Sequence, residues 1–230
     1  MISDAFTEAF KAILYFSEIS NVQKYLIFCF FVNFAENKSM VSLQNKKLIL
    51  GSKSPRRKEL LSQISKNLEI RIQEVDEIYD PNMDVHKVPE YLAELKVKAL
   101  FETIQENEII VTADTIVILE GEILGKPESL DAAKYMLRKL SGKKHLVITG
   151  CCLSDLISQK TFSVQTEVYF NELSDEMISH YVNTFKPLDK AGSYGIQEWI
   201  GMVGIKKING SYYNVMGLPV SELWEELNKC

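Results

Sequence analysis

Hydroxyl and guanidinium groups follow a short apolar strand near residue 50 and begin a predicted helix. Ser52 ends the strand region, and Ser54, followed by proline, has the pattern of a helix N-cap with proline at the first helical position. Arg56 and Arg57 come next. Because a helix N-terminus presents unpaired N–H groups and arginine adds permanently charged, forked donors, this segment is a candidate phosphate site. A capped helix with two solvated arginines explains the same residues equally well, and the glycine-rich P-loop pattern is absent.

A carboxylate lies inside an otherwise apolar β-type stretch. Asp114 is followed closely by the apolar run Ile116–Leu119, and a buried carboxylate is costly unless it is paired, hydrogen-bonded or bound to a metal. Asp114 is therefore a candidate general base or ligand of a hard divalent cation, and the alternative is an aspartate that caps a turn. Asp76 and Glu77 offer further carboxylates after another predicted strand, although a solvated acidic turn also explains them.

Three lysines and one glycine-containing loop complete the candidate set. Lys96, Lys126 and Lys190 would each be a solvated lysine if considered alone, but the proline after Lys126 forms a rigid turn that can aim it inward. Lys190 lies in the segment Pro187–Gln197, whose two glycines allow the backbone to approach a ligand. Gln197 carries both a donor and an acceptor, as recognition of a pyrimidine imide edge requires. An ordinary glycine turn is the alternative.

Interleaved strands and helices must position these groups, and this pattern indicates an α/β domain. The pair Asn209-Gly210 predicts a type I′ hairpin turn, with Tyr212 and Tyr213 packing on the hairpin. Apolar periodicity and turn residues predict strands over 47–52, 68–75, 108–119, 145–153 and 161–170, and helices after Ser54, over 89–105, 129–140 and 174–185, and from Ser221.

Composition excludes several classes of protein. The chain has 230 residues with 26 Lys and Arg against 31 Asp and Glu, a net charge of −5, which disfavours a general nucleic-acid binder. Its four cysteines form no CxxC pair and its three histidines are scattered, so neither a disulfide framework nor a structural zinc site is expected. We expect a cytoplasmic protein that binds neither membranes nor nucleic acid.

The first 45 residues differ from the rest, and we interpret residues 1–45 as an amino-terminal extension outside the domain formed by 46–230. The apolar run Tyr25–Ala35 is too short to span a membrane. A signal peptide is disfavoured because the long stretch before Lys24 contains acidic residues. An additional amphipathic helix, or translated sequence upstream of a start at Met40, fits better.

The ordered set of motifs resembles the Maf family of nucleoside triphosphate pyrophosphatases, also called septum formation inhibitor proteins. The resemblance runs from Leu48 to about Leu227. It rests on the segments Ser52–Leu61, Ala113–Val117, Gly125–Pro127, Leu140–Gly142, Asp189–Gln197, Ile208–Tyr212 and Gly217–Pro219, which occur in the family's order.

This resemblance implies a fold and an activity. The implied fold is a two-lobed mixed sheet with flanking helices, like that of inosine triphosphate pyrophosphatases, and a homodimer is implied as well. The implied reaction is hydrolysis of a nucleoside triphosphate to the monophosphate and pyrophosphate, assisted by a divalent metal cation such as Mg²⁺ or Mn²⁺. Two alternatives are a pyrophosphatase for 7-methyl-GTP or modified nucleotides, and a non-catalytic regulator of cell division.

The resemblance also implies residue roles. Asp114, as proton acceptor or metal ligand, would act with Glu77, and both would hold the metal. Lys96 and Lys126 match catalytic positions. Positions that contact the substrate are Ser52, Ser54, Arg57 and Lys190, and the positions that mark the dTTP/UTP branch of the family are Arg56, Thr115 and Gln197.

The sequence departs from the family pattern in one place that bears on the base pocket. Glu198-Trp199 stands where relatives are often glycine-rich, so the shape of the pocket around the base is not fixed by the resemblance. Two other departures, Gly51 and Val97, do not touch residues with a predicted chemical role.

Overall fold

A computed structural model of the chain describes Leu43 and residues 45–229. The apolar run Tyr25–Ala35 lies outside the described residues, as does nearly all of the extension predicted over residues 1–45, so both interpretations stay predictions. In the part of the chain that is described, no helix is both long and apolar enough to cross a membrane.

Seven strands form one mixed sheet within the described residues, in the order β2-β1-β3-β5-β6-β7, with β4 paired to β3. β1 runs parallel to β2 and β3, and the remaining pairs are antiparallel. This arrangement confirms the predicted α/β class with a mixed sheet and flanking helices. The strands are β1 (Lys47–Leu50), β2 (Leu68–Ile70), β3 (Glu108–Leu119), β4 (Glu122–Leu124), β5 (Lys144–Ser154), β6 (Gln159–Phe170) and β7 (Ile205–Asn209).

Seven α-helices and one 3-10 turn accompany these strands in the described region. They are α1 (Pro55–Ile64), α2 (Val88–Phe101), α3 (Leu130–Leu140), α4 (Asp175–Phe185), the 3-10 turn Ala191–Ser193, α5 (Trp199–Gly204), α6 (Tyr212–Met216) and α7 (Val220–Leu227). α2 packs on the central strands through a core cluster that includes Ile49, Ala93, Val97 and Ile110.

The register of β3 leaves a gap in the sheet that positions the site. β1 pairs with the first part of β3, as far as Val111, and β4 pairs with it only from Val117 onward. Residues 112–116 therefore have no strand neighbour on that side among the described residues. Asp114 and Thr115 lie in this gap, and they are the two residues of β3 that are not fully buried.

The start of α1 has the predicted N-cap. The Ser54 side chain accepts a hydrogen bond from the Arg57 N–H at 3.4 Å, and proline occupies the first turn. Leu60 and Leu61 are the buried residues of this helix. The strand, cap and helix therefore present the hydroxyls and guanidinium groups of this segment at the end of β1.

Two predictions were wrong. The strand predicted over 68–75 ends at Ile70, and residues from Ile72 to Glu77 line a cleft instead. Asn209-Gly210 does not form a hairpin turn, because Ser211 caps the helix α6 and accepts a hydrogen bond from the Asn214 N–H. Tyr212 and Tyr213 are thus the first residues of a helix.

Candidate active site

A cleft of about 580 Å³ lies beside the gap in the sheet, a volume typical of small-molecule sites. Every residue with a predicted role lines it. They are Ser52, Ser54, Arg56, Arg57, Glu77, Lys96, Asp114, Thr115, Lys126, Lys190 and Gln197. The structure therefore brings the whole set together from segments that are far apart in the sequence.

Two carboxylates in this cleft converge on one ammonium group. Lys96 Nζ, from α2, lies 2.6 Å from Asp114 Oδ1 and 2.9 Å from Glu77 Oε1. The side chains of Lys96 and Asp114 are each 14% exposed, whereas Glu77 is 48% exposed. Burial alone would raise the pKa of Glu77, but the hydrogen bond and charge of Lys96, together with the charges of Lys126 and Arg57, outweigh it and lower the pKa.

This pair of carboxylates fits a hard divalent cation in one respect. The oxygens of Asp114 and Glu77 already face one common cation, the ammonium of Lys96. Mg²⁺ typically binds through one or two carboxylates together with phosphate oxygens and water. No group of three or more acidic, histidine or cysteine side chains suited to a metal occurs within the described residues. Asp114 and Glu77 would therefore hold such a metal together with phosphate oxygens and water.

Arg57 links three segments of the cleft through hydrogen bonds. Its Nε donates to the Gly217 carbonyl at 2.9 Å, and its two terminal nitrogens donate to Ser52 Oγ at 3.1 Å and Thr115 Oγ1 at 3.0 Å. Burial lowers the pKa of the guanidinium, and the negative charge of Asp114 opposes this effect. Thr115 in turn lies 2.9 Å from the Thr149 hydroxyl across the β3–β5 pair.

Arg56 and Lys190 share one carboxylate. Asp189 accepts from Arg56 at 2.6 Å and from Lys190 at 2.7 Å, and Lys190 also lies 3.1 Å from Glu198. Burial alone would raise the pKa of Asp189, but the hydrogen bonds from Lys190 and Arg56 outweigh it and lower the pKa to about 2. Lys190 is only 8% exposed, so its position is fixed by these two carboxylates.

Gln197 presents a polar atom that has no partner. Its Oε1 is buried, and it accepts no hydrogen bond from any atom in the described part of the chain. A buried amide oxygen without a donor is costly. Because Gln197 lines the cleft, a ligand that places an N–H group at this oxygen would remove that cost.

One family model matches almost all of the described chain. The family model described as Maf-like protein matches residues 47–230. This chain belongs to the Maf family.

Two similar curated proteins have the same name. A dTTP/UTP pyrophosphatase of Phocaeicola vulgatus is 51% identical over 189 residues, which cover 82% of this chain and 98% of the relative. The dTTP/UTP pyrophosphatase of Bacteroides thetaiotaomicron is 47% identical, with the same coverage. Among solved structures, the Staphylococcus aureus Ham1 protein matches 79% of this chain and all of its own, at 15% identity and a TM-score of 0.47.

Sequence reasoning missed four residues that organise the cleft of this Maf protein. Asp189 and Gly217 lie inside recognised motifs, so their neighbours could have indicated them. Glu198 was noted only as a departure from the family pattern, yet it binds Lys190. Tyr181 gave no signal beyond helical periodicity, because its hydrogen bond to Glu198 depends on tertiary contact alone.

Proposed function

We propose that this protein hydrolyses dTTP and UTP to the nucleoside monophosphate and pyrophosphate. The observation that carries the proposal is the unpaired, buried oxygen of Gln197 in a cleft that also holds Asp114 and a group of cationic side chains. The names of the relatives, dTTP/UTP pyrophosphatase, support the same conclusion.

The chemistry of the base explains the selectivity. Uracil and thymine carry an N–H donor at N3 between two carbonyl acceptors. The Gln197 amide is the complement, because its oxygen accepts from N3–H and its nitrogen donates to a neighbouring carbonyl. Cytosine has an acceptor at N3, so its binding would leave the Gln197 oxygen facing a second acceptor. A site built around a buried polar group rejects such a mismatch strongly.

The cationic side chains suit the triphosphate. Water attacks phosphorus at the α–β anhydride while negative charge spreads over the phosphate oxygens, so catalysis is mainly positioning and charge stabilisation. Arg57 and Lys126 supply positive charge at the cleft, and Ser52 and Ser54 add hydroxyl groups at the start of α1. Asp114 is the group we assign to accepting a proton from water or to holding a metal.

We further propose that a divalent cation, Mg²⁺ or Mn²⁺, binds through Asp114 and Glu77. When bound, the metal would supply charge neutralisation and a lower pKa for its water ligand. Lys96 holds the two carboxylates facing one point. We also propose a cytoplasmic homodimer that binds neither nucleic acid nor membranes; the net charge of −5 supports the absence of nucleic-acid binding.

The test is pyrophosphate release by the purified protein with Mg²⁺ or Mn²⁺, across dTTP, UTP, CTP, 7-methyl-GTP and the purine triphosphates. We expect release from dTTP and UTP and much less from CTP. A preference for 7-methyl-GTP would keep the reaction and refute the assignment of Gln197. No release from any nucleotide by folded protein would refute the enzyme and favour a non-catalytic regulator of cell division.

A further inference from the structure

Gln197 lies within a tight turn whose two ends are joined. The Glu198 N–H donates to the Gly195 carbonyl at 3.0 Å, which is the hydrogen bond that closes a four-residue β-turn. Gln197 is the third residue of this turn. The position of its amide in the cleft therefore depends on how the turn is anchored to the rest of the molecule.

One hydroxyl group from helix α4 anchors both ends of the turn. Tyr181 is fully buried, and its hydroxyl oxygen accepts a hydrogen bond from the Gly195 N–H at 3.0 Å. The same hydroxyl donates to Glu198 Oε2. Burial and the neighbouring carboxylate raise the pKa of Tyr181, so the hydroxyl keeps the proton that it donates.

The second oxygen of Glu198 connects the turn to two cationic side chains of the cleft. Glu198 Oε1 lies 3.1 Å from Lys190 Nζ, and Lys190 reaches Arg56 through their shared carboxylate, Asp189. Both oxygens of Glu198 are thus engaged by the protein. Glu198 is a support for other groups in the cleft, and its neighbour Gln197 is the side chain with an acceptor to offer to a base.

Packing within the turn leaves little freedom for these side chains. A methyl group added at Gly195 would lie 2.8 Å from Glu198 Cδ and 3.1 Å from Gln197 Nε2. Real Cβ atoms essentially never come so close to a neighbour as the first of these distances. The Glu198 carboxyl and the Gln197 amide therefore both pack over the Gly195 backbone, whose N–H donates to the Tyr181 hydroxyl.

We propose that Tyr181 and Glu198 are positioning residues that hold Gln197 where it distinguishes uracil and thymine from cytosine. The inference rests on the proposed function, since it needs a pyrimidine nucleotide in the cleft. According to this inference, the selectivity depends on two groups that do not contact the base. They are the buried hydroxyl of Tyr181 on α4 and the carboxylate of Glu198, which also binds Lys190.

The first test is Tyr181→Phe, which removes the hydroxyl and keeps the ring. We expect the ratio of kcat/KM for UTP to kcat/KM for CTP to fall about tenfold or more, because the Gln197 amide is no longer held in place. The loss should appear as a higher KM for UTP with a smaller change in kcat. Tyr169→Phe is the matched control, because the Tyr169 hydroxyl also donates to a glutamate, Glu167, at 2.8 Å, and Tyr169 does not line the cleft; its ratio should equal that of the wild type.

The second test separates positioning from general loss of structure. Glu198→Gln keeps an acceptor for the Tyr181 hydroxyl, and Glu198→Ala removes it, so the glutamine variant should retain more of the UTP-to-CTP ratio than the alanine variant. This comparison also decides the matter if Tyr181→Phe does not fold. An equal loss of activity toward UTP and CTP in both variants would overturn the inference.

The two proposals fail in different ways. If the wild-type protein releases pyrophosphate from UTP no faster than from CTP, the proposed function is refuted. If the wild type prefers UTP and Tyr181→Phe keeps that preference, only the positioning role is refuted.

Discussion

Replacement of Arg57 by lysine keeps the positive charge and removes the forked guanidinium group. It therefore tests whether the three hydrogen bonds of that group stabilise the protein. Arg57 makes three hydrogen bonds from three different nitrogens, to Ser52, Thr115 and the Gly217 carbonyl. A lysine has a single nitrogen on a narrower head group and cannot span three acceptors on separate segments. We expect one bond to be retained and two to be lost. At about 1.5 kcal/mol for each bond from a charged donor, the free energy of unfolding should fall by about 3 kcal/mol.

The assay is equilibrium unfolding in urea, followed by circular dichroism. With a slope of about 2 kcal/mol per molar urea, the midpoint for Arg57→Lys should fall by about 1.5 M. Arg138→Lys is the matched control, because Arg138 pairs with Asp175 on the surface, where both side chains are at least half exposed. Its effect should stay within about 0.5 kcal/mol. If the Arg57→Lys protein is as stable as the control, the three hydrogen bonds of Arg57 do not stabilise the fold, and the reasoning is refuted.

Three further predictions concern the base, the reaction and acid stability. Gln197→Glu, which loses the amide donor, should abolish the preference for dTTP and UTP over CTP in the pyrophosphate assay, whereas Gln159→Glu, outside the cleft, should keep it. Asp114→Asn should lower kcat about a thousandfold while the circular dichroism spectrum stays unchanged; a variant with most of its activity would contradict the assigned role. Burial lowers the pKa of His145 to about 3. Below about pH 6.5 the unfolded chain therefore binds a proton at this residue that the folded protein does not bind. The free energy of unfolding should decrease as the pH is lowered from about 6.5 to 3, by up to about 1.4 kcal/mol per pH unit. His145→Gln should remove this slope in urea unfolding measured from pH 7 to 5, and the exposed His86→Gln should retain it.

The local elements at the site could be predicted because their causes are local. Ser54 and the proline after it determine where α1 begins, and the structure has the cap at that position. The long apolar stretch of β3 was recognised with both of its ends. The residues of the cleft were predicted together only through the resemblance to the family, since no local rule indicates that Lys96 on α2 reaches Asp114 on β3.

The failures came where tertiary contacts decide between local options. Glu120-Gly121 and Asn209-Gly210 both have turn-forming sequences, and Asn209-Gly210 is the stronger hairpin signal. The tight turn predicted at Glu120-Gly121 is confirmed between β3 and β4, where both residues have positive φ, whereas Asn209-Gly210 forms no hairpin. At Gly210 a side chain would collide with Thr166 of β6, 2.7 Å from an added Cβ. The glycine is therefore required for close packing, and the chain continues into a helix. The hydrogen bonds of Tyr181 could not be predicted either, because they too depend on tertiary contacts.

The distribution of charge in the cleft explains why a protein with a net charge of −5 suits a polyanion. Lys96, Lys190 and Arg56 are each paired with carboxylates, so their charges are largely compensated before a substrate arrives. Arg57 and Lys126 form no ion pair within the described residues, and Arg57 is held entirely by neutral acceptors.

These two cations therefore carry positive charge that no direct ion pair neutralises, and Lys126 is the exposed one of the two. The paired cations Lys96, Lys190 and Arg56 differ from these two, because their carboxylate partners hold them at defined positions. We therefore expect the unpaired charges to contribute most to binding of the triphosphate, and the paired ones to fix its orientation.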